Sequence, residues 1–312
     1  PWFMNFYQQR ALEGVDGWWC DLGEPENHPN EMRHFEGTAR QIHNLYSLIW
    51  AEWLHTHYRQ NFPNKRLFNL IRSGYSGMQR YSTFPWTGDI QRSWSGLQAQ
   101  IPAMIHMGMS GVGYMHSDIG GFTGGGQDNE LYARWQQLGA FQPIQRAHGE
   151  GVPPEPIFYP NNIKTIVRDF AKLRMRLTPY NYTLAWENTQ TGVPLVRPLF
   201  MEMDGFSSLY SQVNDQFLWG PNLLVAPVMS AGQTSRPVML PPGRWFDWWT
   251  DQPVNGGGTV TASAPLSRMP LYVRGDAFVP MAPLTNSMSN YNTDTLEMHY
   301  FPAEASKEAQ FT

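Results

Sequence analysis

Over its first 190 residues the chain alternates short strand-like segments with longer helix-like segments. The strand-like segments end near the polar residues Asp21, Arg72, Asp89, Asp118 and His148. Repeated strand–loop–helix units predict an α/β fold, a parallel sheet with helices outside it. In a (β/α)8 TIM barrel the chemistry lies at the carboxyl ends of the strands, where these five residues fall. We count about five units, so we predict the carboxy-terminal portion of a barrel over residues 1–190 and expect that an amino-terminal part is missing.

Helical periodicity marks two long segments. Residues 38–60 place apolar side chains at helical spacing, and a second helical stretch runs from about Asn162 to Asn188. The apolar positions of the first segment are Ile42, Leu45, Tyr46, Ile49 and Trp53.

After residue 190 the pattern changes to short β-branched runs broken by Gly and Pro, such as "GPNLLVAPVM" and "GGGTVTASA". We predict a small antiparallel β-sandwich domain over residues 191–285. The polar segment 286–312 is predicted to open a further module or to be an irregular tail.

Composition narrows the classes of function. The net charge is −4 without a Lys/Arg cluster, which argues against a nucleic-acid partner. A single cysteine, Cys20, excludes an internal disulfide and a Cys-rich metal site. No apolar run reaches the length of a membrane span. We favour a periplasmic or secreted location over a cytoplasmic one, and the oligomeric state stays open.

Two aspartates follow tryptophans at predicted strand ends. Alternation along "GWWCD" puts Trp19 and Asp21 on one face and Cys20 on the other, so Cys20 is predicted to be a packed thiol. Alone, Asp21 could cap a helix or lie at the surface, but "PWTGD" repeats the arrangement at Asp89. Two such carboxylates could face each other across one sugar. One would attack the anomeric carbon, and the other would protonate the leaving oxygen. In a retaining enzyme the two carboxyl groups are expected about 5–5.5 Å apart.

Six sequence blocks resemble glycoside hydrolase family 31, the α-glucosidase family, and occur in that family's order over roughly residues 1–250. They are "DGWWCDLGEPE", "RSGYSGMQRYSTFPWTGD", "HSDIGGF", "RWQQLGAFQPIQRAHG", "LTPYNYTLAWENTQTGVPLVRPLF" and "QFLWGPNLLVAPVM". The resemblance implies a retaining, exo-acting glycosidase that needs no cofactor and takes an α-linked oligosaccharide. It assigns the nucleophile to Asp21, in W-x-D-x-x-E, and the acid/base to Asp89, in W-x-G-D.

The resemblance also implies roles for eight other residues. Hydroxyl contacts in the −1 subsite fall to Arg72, Asp118 and His148, apolar walls to Trp19, Trp86 and Phe122, and supporting roles to Glu24 and Arg80. Such a division suits an uncharged sugar, which is bound by hydrogen bonds and aromatic surfaces.

The block "DLGEPE" differs from the D-M-N-E-P of many α-glucosidases and is similar to the branch that contains bacterial α-1,4-transglucosylases. It also lacks the Lys-Thr that usually precedes the nucleophile in α-xylosidases. We therefore predict α-1,4-linked maltooligosaccharides as donors, with hydrolysis or 4-α-glucosyl transfer as the outcome. The alternatives are an α-xylosidase or other α-glycosidase of this family, and an inactive carbohydrate-binding fragment. The family's aspartate on the first barrel strand and its amino-terminal β-sandwich have no counterpart here.

Two further enzyme classes fit the sequence less well. An aspartic protease would need Thr or Ser at the positions of Leu22 and Ile119 and an all-β fold. A metal-dependent hydrolase would draw on His28, Glu31, His34 and His43, but their spacings match no standard ligand motif, and we predict no metal.

Overall fold

The structure is a computed structural model that describes residues 2–202 and 213–303. The chain divides into two compact units. The first comprises the chain up to Gly88 together with Tyr114–His116, and the second comprises Asp89–Gly113 and the chain from Ser117 onward.

The first unit is built on a parallel sheet. Its elements are α1 (Trp2–Leu12), β1 (Trp18–Cys20), β2 (Arg33–His34), β3 (Gly37–Thr38), α2 (Ala39–Ile42), α3 (Tyr46–Asn61), β4 (Asn69–Ile71) and β5 (Thr83–Pro85). Strand β4 lies between β1 and β5, and both pairings are parallel. A parallel bridge between Trp86 and His116 continues the arrangement. The parallel sheet predicted from the strand–helix alternation is therefore present.

Side chains of β1 alternate between two faces, as predicted. The indole N–H of Trp18 donates to the Tyr58 hydroxyl at 2.6 Å, and its ring contacts Tyr7 in an edge arrangement. Cys20 lies on the same face, is 2% exposed and hydrogen-bonds with Tyr7. Trp18 and Cys20 therefore face the tyrosines of α1 and α3. Trp19 points the other way and contacts Trp86.

The helix predicted over residues 38–60 exists but is divided. A 3-10 turn, His43–Leu45, separates α2 from α3. The buried face of α3 is formed by Ser47, Ala51, Leu54 and Tyr58. Of the five apolar positions predicted at helical spacing, only Ile42 is buried, and Trp53 is 54% exposed. The small residues Ser47 and Ala51 share this face with Leu54 and Tyr58, so the apolar positions selected by spacing do not mark it.

The described part of the second unit contains four α-helices: α4 (Trp94–Met109), α5 (Asn129–Gly139), α6 (Asn161–Arg176) and α7 (Thr178–Thr191). The Ser93 hydroxyl and the Asp128 carboxylate cap α4 and α5 by accepting backbone N–H bonds from the first turn. The stretch predicted as one helix from Asn162 to Asn188 is two helices, because Pro179 lacks an N–H and occupies the first turn of α7. Among the described residues, no helix has both the length and the apolarity needed to cross a membrane.

Two segments predicted as strands, around Asp118 and before His148, pair only through single parallel bridges. These join Trp86 to His116, Gln91 to Thr123 and Ile119 to Ala147. Within residues 2–202 and 213–303 the strands do not close a barrel, and the count of about five βα units stays a prediction.

The predicted antiparallel region is present. Its strands are β6 (Val196–Arg197), β7 (Phe217–Trp219), β8 (Leu223–Val225), β9 (Ser235–Leu240), β10 (Arg244–Asp247), β11 (Pro253–Asn255), β12 (Gly258–Ser263), β13 (Leu271–Arg274), β14 (Ala277–Met281) and β15 (Glu297–Phe301). Six of them form a sheet in the order β11-β10-β13-β8-β7-β6, while β9 pairs with β12 and β14 pairs with β15.

One apolar core joins the β9–β12 ribbon to the six-stranded sheet. Val238 and Ala262 of the ribbon are buried in the same cluster as Leu224, Trp245 and Tyr272 of the sheet. This packing is the two-layer arrangement expected of a sandwich. The pairing of β14 with β15 crosses the boundary predicted at residue 285. Parts of the predicted domains, residues 203–212 and 304–312, lie outside the described residues.

Candidate active site

Asp21 and Arg72 meet because they follow neighbouring parallel strands. Asp21 comes directly after β1 and Arg72 directly after β4, whose last residues, Cys20 and Ile71, are paired in register. The carboxyl ends of parallel strands lie at one edge of a sheet, so the residues that follow them converge there. The Arg72 Nε lies 3.2 Å from the Asp21 Oδ1.

Two further carboxylates contact the same guanidinium. The Arg72 Nε donates to the Glu24 Oε1 at 2.5 Å, and its Nη2 donates to the Glu26 Oε2 at 2.9 Å. We call Asp21, Glu24, Glu26 and Arg72 the Arg72 cluster. Glu26 was not among the residues predicted for the site. Its signal in the sequence is its position two residues after Glu24, in "GEPE".

The Arg72 cluster is partly shielded from solvent and carries excess negative charge. The side chains of Arg72 and Glu24 are 16% and 12% exposed, against 32% for Asp21 and 53% for Glu26. Burial alone would lower the pKa of Arg72, but the hydrogen bonds that it donates to Glu24 and Glu26, together with the negative charges of Glu24 and Asp21, outweigh burial and raise that pKa. Asp21 therefore lies against a permanent positive charge.

Trp19 and Trp86 form an aromatic corner in the same unit. Their ring centroids are 6.1 Å apart and the planes are nearly perpendicular, at 78°. Trp86 is buried, whereas Trp19 is 47% exposed and offers its ring to a ligand. Two walls at a right angle suit a flat, partly apolar molecule.

In the second unit, the predicted hydroxyl-binding residue Asp118 is fully buried. Its Oδ1 pairs with the Nη2 of Arg146. The backbone joins the same segments, because the N–H of Ile119 donates to the Arg146 carbonyl. Arg146 was missed from the sequence. Its signal was its place two residues before His148, in "QRAHG", since alternate residues of an extended segment share a face.

Phe122 and His148 are also brought together. Their rings are stacked, with centroids 5.3 Å apart and planes at 29°, and both residues are half-buried. The stacked pair combines an apolar surface with an imidazole that can donate or accept a hydrogen bond.

A third missed residue, Arg92, holds the backbone around this pair. Arg92 is 8% exposed, and its guanidinium donates to the carbonyls of Phe122, Gly124 and Glu150 at 2.8, 2.6 and 2.9 Å. Its backbone N–H also donates to the Thr123 carbonyl. The loop that carries Phe122 is therefore fixed by one buried cation. In the sequence Arg92 is a lone arginine three residues after Asp89.

The remaining predicted residues are placed as follows. Asp89 is exposed and follows Gly88, whose φ of +78° allows the turn after β5. Arg80 is exposed and lies over the Tyr81 ring, 5.9 Å from its centroid. Asp21 belongs to the first unit and Asp89 to the second, and the facing pair of carboxylates stays a prediction.

The histidines considered as metal ligands form a chain. The His28 Nε2 lies 2.7 Å from the His34 Nε2, and its Nδ1 lies 3.0 Å from the His43 Nδ1. Burial and the two neighbouring imidazoles lower the pKa of His28. His28 turns a different nitrogen toward each neighbour, so the three rings do not converge on one point. Among the described residues, no group of three His, Cys, Asp or Glu side chains is arranged to hold a metal ion.

Comparison with protein families decides the assignment. The sequence model of the glycosyl hydrolases family 31 TIM-barrel domain matches residues 1–184, and that of the family 31 C-terminal domain matches residues 192–279. The chain belongs to glycoside hydrolase family 31. The family predicted from the six sequence blocks is thus confirmed.

Named relatives of this family 31 chain differ in the sugar that they take. The chain is 31% identical to an alpha-xylosidase of Saccharolobus solfataricus and 33% identical to alpha-glucosidase 2 of Bacillus thermoamyloliquefaciens. These alignments cover 93% and 92% of the chain but 41% and 38% of the relatives. The solved structure of a Flavobacterium johnsoniae family 31 dextranase with glucose matches at a TM-score of 0.92, with 33% identity over 99% of this chain and 40% of that one. The family 31 chain thus spans about 40% of the length of these proteins.

Proposed function

We propose that the protein is a retaining, exo-acting glycoside hydrolase that cleaves α-glucosides, with α-1,4-linked maltooligosaccharides as its donors. The observation that carries the proposal is the Arg72 cluster, which holds the carboxylate of Asp21 against a partly buried guanidinium at the end of parallel strands. Membership of family 31 supports it, as does the identity of one third with a protein named alpha-glucosidase 2.

The proposed reaction has two steps. The Asp21 carboxylate attacks the anomeric carbon while the Asp89 carboxylic acid gives its proton to the glycosidic oxygen. The bond from carbon to that oxygen breaks, and a glucosyl ester on Asp21 remains. Ionised Asp89 then takes a proton from water or from a sugar hydroxyl, whose oxygen displaces Asp21 from the anomeric carbon. Two inversions leave the α configuration unchanged.

The surrounding residues have separate tasks in this proposal. Arg72 orients the Asp21 carboxylate by contacting its Oδ1. Trp19 offers an apolar wall to the sugar ring, with Trp86 behind it. Arg146, which the buried Asp118 holds in place, binds hydroxyls, and the stacked pair of Phe122 and His148 contacts hydroxyls and ring carbons. An uncharged sugar requires such a set of directed hydrogen bonds and aromatic surfaces.

Conservative variants of the two aspartates test the roles. In the full-length protein, Asp21→Asn keeps the shape of the side chain but removes the nucleophile, and we expect turnover of an aryl α-glucoside to fall by roughly 10³-fold or more. In Asp89→Asn the first step survives with an activated aryl leaving group, and added azide restores the second step and gives an α-glucosyl azide. Normal turnover by Asp21→Asn would show that the nucleophile is wrongly assigned.

The outcome and the sugar need their own measurements. Incubation with maltotriose distinguishes glucose release, which indicates hydrolysis, from early formation of longer oligosaccharides, which indicates transfer. Because the chain is 31% identical to a protein named alpha-xylosidase, an aryl α-xyloside is the competing substrate. We expect it to be turned over far less efficiently than the α-glucoside. Xylose release at comparable kcat/KM would contradict the preference for glucose.

A further inference from the structure

A cavity of about 480 Å³ lies within the second unit and is lined by α6, the turn after β10, and strands β14 and β15. Its floor is apolar and includes Leu173, Met281 and Phe301. Its rim carries Asp169, Lys172 and Asp251, and one wall is formed by Trp248. None of these residues has a role in the proposed reaction.

We propose that this cavity is a second carbohydrate-binding site, which takes pyranose units of an α-1,4-glucan without cleaving them. The identity of the glucan rests on the proposed function, whereas the preference for a sugar rests on the cavity itself. Its volume lies within the range of small-molecule sites, and an aromatic wall beside polar rim groups is how proteins bind sugar rings.

The turn after β10 holds Trp248 in place. The Asp247 Oδ1 accepts the backbone N–H groups of Trp249 and Thr250 at 2.9 and 3.1 Å, and the N–H of Asp251 donates to the Asp247 carbonyl. The N–H of Trp248 donates to the Leu271 carbonyl on β13. Because these hydrogen bonds already fix the backbone of the turn, Trp248 loses little conformational freedom when a ligand binds.

The two adjacent tryptophans of this turn have different tasks. The indole N–H of Trp249 donates to the Met269 carbonyl at 2.7 Å, and its ring packs against Phe170 of α6, so Trp249 ties the turn to α6. Trp248 lines the cavity and lies beside His299, with the ring planes at 26°. One indole anchors the turn, and the other is presented to the cavity.

Asp251 adds a second observation. It has a φ of +56°, in the left-handed region that aspartate adopts more readily than most residues other than glycine. The hydrogen bond from its N–H to the Asp247 carbonyl fixes the turn in this conformation. Here Asp251 places an exposed carboxylate, a strong hydrogen-bond acceptor, on the cavity rim.

The charges around the cavity favour an uncharged ligand. Asp169 and Asp251 balance Lys172 and Arg176, and Arg176 is also paired with Glu297. An anion such as a phosphate would find no excess of positive charge. A sugar, with hydroxyls that both donate and accept, can use the carboxylates and the ammonium together.

A cyclic α-1,4-glucan separates this site from the proposed catalytic site, because a ring without a non-reducing end is not a substrate of an exo-acting enzyme. We expect β-cyclodextrin to bind the full-length protein saturably in isothermal titration calorimetry. Trp248→Ala should weaken that binding at least about tenfold. In the same variant, kcat/KM for a small aryl α-glucoside should stay within about twofold of the wild type.

Two further variants make the result decisive. Asp251→Gly removes the carboxylate and puts at this positive φ the residue that adopts it most readily, so it should fold as well as the wild type and still bind several-fold more weakly. Trp186→Ala removes a 52% exposed tryptophan from α7 and should leave binding unchanged. The second site would be overturned if the wild type showed no saturable binding of β-cyclodextrin. It would also be overturned if Trp248→Ala and Asp251→Gly both bound β-cyclodextrin as tightly as the wild type. If the wild type did not turn over an aryl α-glucoside at all, the proposed function would be overturned instead.

Discussion

At the scale of single residues, Arg72 decides the geometry around Asp21. Its planar guanidinium contacts three carboxylates at once, from Nε and Nη2. Lysine would keep the charge but not the fixed fork of donors. We therefore expect Arg72→Lys to lower kcat/KM for an aryl α-glucoside by about 100-fold, with most of the loss in kcat.

An arginine outside the site provides the control. Arg59 is exposed on α3, and Arg59→Lys should leave kcat/KM within about twofold of the wild type. Arg72→Lys with nearly full activity would mean that the orientation of Asp21 does not depend on the Arg72 cluster.

Cys20 gives a prediction about pH. Burial raises the pKa of this thiol from about 9 to about 12, although a hydrogen bond from Tyr7 opposes the shift. In the unfolded chain the thiol ionises near pH 9, while the folded chain keeps its proton. The stabilisation is thus complete below pH 9 and is lost as the pH rises toward 12, by at most about 1.4 kcal/mol per pH unit.

Urea unfolding between pH 8 and pH 11 measures this effect. Burial also raises the pKa of Tyr7, so some of the decline belongs to that residue. Cys20→Ala should give a smaller loss of stability than the wild type between pH 9 and pH 10, where Tyr7 contributes least. Equal slopes in the two proteins would contradict a buried, protonated thiol.

The sequence allowed candidate residues of the site to be selected by residue type and position, but it did not predict which residues contact one another. Asp21, Arg72, Asp118 and His148 could be selected because they stand at the ends of strand-like segments within family blocks. The buried pairing of Asp118 with Arg146 depends on contacts between distant segments. Arg92 binds carbonyl groups, which every residue has, so no sequence pattern marks its partners.

At the scale of elements, glycines set how closely loops approach Arg92. Gly121 has a φ of +84°, and a Cβ there would lie 2.4 Å from the Arg92 Cα. Gly151 has a similar φ of +72° but no heavy atom within 4 Å of the position of its Cβ. At both positions a side chain would destabilise the left-handed backbone conformation. Only at Gly121 would its Cβ also collide with the main chain.

Alanine variants of Gly121 and Gly151 distinguish the destabilisation caused by the backbone conformation from that caused by the collision. Gly151→Ala should lower the free energy of unfolding by about 1 kcal/mol, the cost of the left-handed backbone. Gly121→Ala should lower it by about 3 kcal/mol or more and reduce activity, because the loop carrying Phe122 must move. Urea unfolding and kcat/KM of both variants provide the comparison. Equal losses in the two variants would show that close packing on Arg92 is unimportant.

Elements with a strong periodic pattern were predicted well, and those without one were not. Helices α6 and α7 lie on the stretch predicted as helical from about Asn162 to Asn188, and the antiparallel strands follow runs of β-branched residues. Strand β15 was missed because Glu297 and Met298 are exposed, and its polar sequence gives no strand signal. The buried face of α3 was misjudged because Ala51 and Ser47 pack there rather than the larger Trp53.

At the scale of the whole chain, the balance of charge bears on the proposed preference for an uncharged substrate. The chain has 26 acidic and 22 basic residues, and the Arg72 cluster sets three carboxylates against one guanidinium. A carboxylate on the substrate would be repelled both at a distance and at the site. An uncharged glycoside meets neither penalty.

A charged and an uncharged substrate of similar size therefore test whether the negative charge of the chain and of the Arg72 cluster disfavours an anionic sugar. We expect kcat/KM for an aryl α-glucuronide to be at least about 100-fold below that for the aryl α-glucoside, because repulsion by two or more excess charges adds to the loss of C6 hydroxyl contacts. Salt distinguishes the two contributions. Raising the ionic strength from about 0.05 to 0.5 M should change the glucoside value by less than about twofold but should raise the glucuronide value, since salt screens the repulsion. Efficient, salt-independent turnover of the glucuronide would mean that a cation outside the Arg72 cluster governs the site.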